Sequence, residues 1–125
     1  MKVGLCSNSM KIDRIYTGEQ GDSFFDNVEI NLSSAGEIGA LSEPWQADRV
    51  IFRTNEGDYN YDWHNAPARQ LVVMLEGGVE IEVSSGEKRI FHPGDILLVE
   101  DLTGKGHRAR ALGGQPRKSM FVVLK

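Results

Sequence analysis

Hydrophobic and polar residues alternate with a period of two along much of this chain. "VEIEV" (Val79 to Val83) sets apolar against acidic positions in strict turn, the signature of a half-buried antiparallel strand. "QLVVML" (Gln70 to Leu75) is a nearly unbroken aliphatic run, as expected of a strand buried on both faces. The segments "SFFDNVEINL", "RVIFRT", "RIF", "ILLVE" and "SMFVVLK" carry the same signature, and "RIYT" predicts a short arm strand. Turn signals fall between them: Gly77-Gly78 predicts a tight hairpin, "SSGEK" a second turn and "HPGD" (His92 to Asp95) a third. Gly77 and Gly94 are the positions where positive φ is expected. Helical signal is confined to Ala35–Leu41 and Pro44–Asp48, both short or interrupted, and 33–44 reads as the one long loop. Many short strands without crossover helices predict an all-β sandwich or barrel.

Length changes this picture little: 125 residues suit one domain with a true core. Hydrophobic residues at 40% and charged residues at 26% match a soluble globular protein. The net charge of −4 and the lack of a basic face argue against nucleic-acid binding. Arg108, Arg110, Arg117 and Lys118 read as a solvated rim. Cys6 is the only cysteine, which excludes an intrachain disulfide and fits a reducing compartment. The first twenty residues lack a signal-peptide core, and no segment has membrane-spanning length. A cytoplasmic location is therefore expected.

Candidate chemistry gathers in "YDWHNAPARQLVVMLEGG" (Tyr61 to Gly78) and "HPGDILLVEDLTGKGH" (His92 to His107). These blocks resemble the cupin superfamily. Its first motif runs glycine, five residues, His-x-His, three or four residues, glutamate, six residues, glycine. Here Gln70 and Gly77 have the six-residue spacing, so Gln70 stands where the family has its glutamate. His64 takes the place of the second histidine with one residue inserted, and Asp62 that of the first. His107 follows the Pro-Gly-Asp turn and strand as the family's last ligand does. The resemblance covers about residues 45 to 125. It implies a cupin-type double-stranded β-helix, a jelly-roll barrel, whose core is 45–125. Residues 1–44 would then supply N-terminal strands and a loop for contacts in a homodimer. It also implies a site for iron, manganese, nickel or zinc, and a chemistry open among isomerase, dehydratase, oxygenase and plain binder.

Strand geometry provides a separate reading of the same residues. Asn60, Asp62 and His64 would share one face of a strand, with Tyr59, Tyr61 and Trp63 on the other; Gln70, Val72 and Met74 would likewise point together. A barrel interior would thus present Asp62, His64, Gln70 and His107 at its mouth and Met74 in its apolar floor, a pocket for a small polar metabolite. The metal set would be His64, Gln70 and His107, with Asp62 able to restore a negative charge. Gln70 offers only a neutral amide oxygen, so an organic ligand without metal is the alternative. His92 reads as an exposed turn residue, and Glu100, Asp101 and Lys105 as a salt-bridged surface loop leading into His107, with an acid–base role at the pocket mouth as the alternative. Arg53 or Arg69 could grip a substrate carboxylate, Arg69 being the one that alternation turns outward.

Overall fold

The computed structural model describes residues 9–125; Cys6 lies outside them. Twelve strands follow one another: β1 (Ser9–Thr17), β2 (Ser23–Asn31), β3 (Ser33–Ser34), β4 (Ala40–Leu41), β5 (Ala47–Asn55), β6 (Asn60–His64), β7 (Gln70–Glu76), β8 (Val79–Val83), β9 (Lys88–Phe91), β10 (Ile96–Val99), β11 (His107–Ala111) and β12 (Arg117–Leu124). The only helical turn among them is 3₁₀, Gly36–Ile38, between the two-residue strands β3 and β4. The expected loop at 33–44 is thus a small hairpin. No helix of the described residues is long and apolar enough to cross a membrane.

One sheet has the order β2-β1-β10-β7-β12-β5 and a second the order β6-β11-β8-β9. Taking β5 to β12 as eight successive strands, consecutive members fall in opposite sheets except for the β8–β9 hairpin. That is the two-Greek-key pattern of a jelly roll. The sheets stay distinct rather than closing into a continuous barrel. β1 adds to the larger sheet by pairing parallel with β10, Asp13 opposite Leu97, and β2 pairs antiparallel with β1.

Sequence pattern explains which faces meet. In β7, Gln70, Val72 and Met74 are buried, and in β8, Val79, Ile81 and Val83. With Ile15, Phe25, Phe91, Leu97 and Val99, all of these but Gln70 form the apolar core between the sheets. The outer face of the larger sheet carries a smaller cluster: Ile12, Leu98 and Leu124 are buried there, with Leu71, Ile96 and Trp45 packed on them. This second cluster is why "QLVVML" is apolar at nearly every position.

The Gly77-Gly78 hairpin is corrected. β7 and β8 belong to different sheets, so the glycines carry the chain across the sandwich. Gly77 has φ +72°, and a Cβ there would lie 2.4 Å from the Pro116 carbonyl oxygen. The crossing therefore runs against the start of β12, where no side chain would fit. Gly94 also has positive φ, as expected, but faces open space.

Candidate functional site

A cavity of ≈ 320 Å³ lies between the sheets, walled mainly by apolar side chains. His64, Gln70, Met74 and His107 all line it, and so do Arg53, Tyr59, Tyr61 and Arg117. Asp62 does not line it and is exposed. The cause is a bulge: His64 pairs with His107, but Tyr61 pairs with Ala109, three residues back on β6 against two on β11. The extra residue reverses the alternation, so Tyr61 and His64 both turn inward while Asp62 turns out. The expected Asn60–Asp62–His64 face does not form.

The two histidines meet at one end of the cavity. Their ring centroids are 4.4 Å apart at 61°. Gly106, with φ +81°, makes this approach possible, because a Cβ there would sit 2.2 Å from the His64 carbonyl oxygen. Each ring is oriented from behind. His64 Nδ1 donates to the Asp62 backbone carbonyl at 2.6 Å, and Tyr61 stacks on the ring at 3.7 Å between centroids. His107, only 7% exposed, donates from Nδ1 to Asp101 Oδ2 at 2.7 Å. Both partners are acceptors, so both Nδ1 atoms carry the proton and each neutral ring keeps Nε2 as an acceptor. Burial holds the His64 pKa below its ordinary 6.5 against the pull of the Asp62 carbonyl; the neighbouring His107 and Arg53 lower it further, and the Asp101 carboxylate opposes them.

Asp101 was expected in a surface loop and is instead fully buried. Its Oδ2 also accepts from Ser23 Oγ at 2.7 Å, tying β2 to the loop before β11. The neighbours of Asp101 behave as anticipated. Glu100 pairs with Arg14 at 3.2 Å and with Arg69, which therefore lies outside the cavity; Lys105 pairs with Asp22 at 3.5 Å. The signal that separates Asp101 from Glu100 is the packing of β1 and β2 over the loop, which strand periodicity does not reveal.

The other end of the cavity holds two guanidiniums. Arg108, Arg110 and Lys118 do form a rim of ion pairs, but Arg117 is 3% exposed and points in. Cross-strand register places Arg53 opposite Ser119 and Arg117 opposite Asn55, making the two arginines diagonal neighbours on one face. Arg53 Nε donates to Ser119 Oγ at 3.0 Å, and the Arg53 guanidinium lies 4.4 Å from the Phe121 ring centroid. Arg117 sits 5.2 Å from the Tyr59 centroid, and its Nε and Nη1 are buried without a hydrogen-bond partner. Burial, then the charge of Arg53, lowers the Arg117 pKa to about 10 against the opposing Tyr59 hydroxyl.

Does this donor set suit a divalent cation? Among the described residues no three His, Cys, Asp or Glu side chains group as metal ligands. Asp62 is outside, Asp101 stands behind His107, and no Asp or Glu lines the cavity. Two imidazoles and the Gln70 amide are neutral donors, and two guanidiniums share their space. The residues present fit a resident divalent ion poorly.

No family model matches the chain, and no curated protein matches it. Among solved structures it is similar to a conserved protein of unknown function from Streptococcus pyogenes, SPY1581. The TM-score is 0.50 at 13% identity, over 97% of this chain and 79% of that one. It is also similar to the cupin domain of Schizosaccharomyces pombe Cnp3, with TM-score 0.49 and 10% identity, over 95% of this chain and 86% of that one. The protein NMB1881 from Neisseria meningitidis gives a TM-score of 0.49 at 19% identity, over 68% of this chain and 89% of that one. These likenesses concern fold alone. The strand order by itself makes this a small jelly roll.

Proposed function

We propose that the protein binds a small polar organic metabolite between its sheets, without a resident metal. One observation supports this above all: polar groups that could hold a ligand converge in an otherwise apolar cavity, and none of them is a carboxylate. His64 and His107 offer two Nε2 acceptors, and Gln70 an amide able to donate or accept. Such a set suits a ligand bearing hydroxyl or N–H groups. The same imidazoles could serve as proton acceptors if the ligand reacts.

The competing reading is a metal-dependent isomerase, dehydratase or oxygenase using His64, Gln70 and His107. Calorimetric titration of zinc, nickel and iron(II) into the wild type, His64→Ala, His107→Ala and Gln70→Glu separates the two. Weak wild-type binding is expected, tightening in Gln70→Glu because an anionic oxygen replaces a neutral one. Tight wild-type binding that disappears in both alanine variants would replace the metal-free reading.

We further propose a homodimer. β5 is an edge strand of the larger sheet, nine residues long, with Val50 and Phe52 exposed, the latter at 77%. Native sheets cover or pair such edges. Light scattering at micromolar concentration should give twice the 13.9 kDa chain mass, and a single-chain mass would dismiss the dimer.

A further inference from the structure

We infer that Arg53 and Arg117 form a binding site for the carboxylate of a small organic acid. The inference rests on the metabolite-binding reading above and names the class of ligand. Arg117 is almost wholly buried, lines the cavity and leaves both Nε and Nη1 unmet. A buried charged donor without an acceptor is costly, so folded proteins seldom keep one idle.

The protein's own groups do not complete it. Tyr59 offers its hydroxyl and ring face and Phe121 a ring face to the two guanidiniums, yet Arg117 Nε and Nη1 stay without a partner. Asn55 is the cross-strand neighbour of Arg117, and its Oδ1 is likewise buried and unpartnered. The two are not bonded to each other, and one amide oxygen poorly replaces the two oxygens that match Nε and Nη1. No Asp or Glu lines the cavity to neutralise the pair. A ligand carboxylate supplies both missing items: two coplanar acceptor oxygens and a negative charge. The apolar walls would take its carbon body, and the imidazole acceptors its hydroxyl or N–H groups.

The test uses acetate, benzoate and 3-phenylpropionate, each against its own amide, and inorganic phosphate. Calorimetric titration is run on wild type, Arg53→Met, Arg117→Met, His64→Ala and His107→Ala. At least one acid should bind wild type about tenfold or more tighter than its amide. That preference should vanish in both methionine variants and persist in both alanine variants. Carboxyl-labelled benzoate provides a second measurement on wild type alone: in carbon-13 spectra the bound acid should titrate at lower pH than the free acid. The inference is overturned if no acid outbinds its amide, if phosphate outbinds every acid, or if Arg117→Met keeps the preference. Loss of all binding in the alanine variants with no acid-over-amide preference in wild type would sink this inference and leave the metabolite reading standing. The preference persisting while both alanine variants bind acid and amide more weakly upholds both readings; an acid preference with neither affinity lowered in either alanine variant would uphold this inference and sink the metabolite reading.

Discussion

The two ends of the cavity are built by opposite logic. At the imidazole end every ring N–H already has its acceptor: His107 has Asp101, which is held in turn by Ser23, and His64 has the Asp62 carbonyl. At the guanidinium end Arg117 keeps two buried donors unmet, beside a second cation. Both ends depend on a glycine with positive φ whose Cβ would collide with backbone, Gly106 against His64 and Gly77 against Pro116. Both are thus positioned by close backbone packing, yet only the imidazole end has every donor met; the one unpartnered atom behind it is an acceptor, Asp101 Oδ1. The difference teaches that position and satisfaction are separate properties of a site. A group held rigidly and satisfied from behind presents a fixed tautomer. A group held rigidly and left unmet marks where a ligand's atoms belong.

Breaking the satisfied end should have the largest effect. Asp101→Ala strips the acceptor from both Ser23 and His107 in a fully buried position. Chemical denaturation should show a loss of about 3–5 kcal/mol. A loss below about 1 kcal/mol would mean the network is not what anchors the loop before β11.

A smaller effect comes from titrating the same end. The folded protein holds His64 below 6.5, so the unfolded chain takes up its proton first as pH falls. Stability should therefore decline with pH from about 6.5 downward, until the folded-state pKa is reached and before the carboxylates titrate near 4. His64→Gln should flatten that part of the curve, as read from denaturant midpoints at stepped pH. An unchanged slope in the variant would assign the decline to other groups.

Much of the fold was legible in the sequence, because inward positions alternate with less buried ones along β7 and β8. The all-β jelly roll, the cavity positions of His64, Gln70, Met74 and His107, and the positive φ at Gly77 and Gly94 follow from pattern and motif. What escaped depends on partners distant in sequence. A bulge against β11 turns Asp62 outward, which a strict two-residue period cannot anticipate. Gly77-Gly78 has the chemistry of a hairpin, yet the strands it joins pair elsewhere. Asp101 and Arg117 look like surface residues in their local company. The first is buried by β1 and β2; the second is turned inward by its register against Asn55. In both cases the charge is the informative feature only after its burial is known.

The claim that the guanidinium end is incomplete without an anion is tested most directly by thermal melting of ligand-free wild type and Arg117→Met, side by side. Methionine keeps comparable bulk and removes a buried charge that has two unmet donors. The account predicts that Arg117→Met melts at or above the wild-type temperature, and that benzoate or 3-phenylpropionate raises only the wild type. A variant that melts well below wild type would contradict it, since Arg117 would then be stabilising the fold by itself.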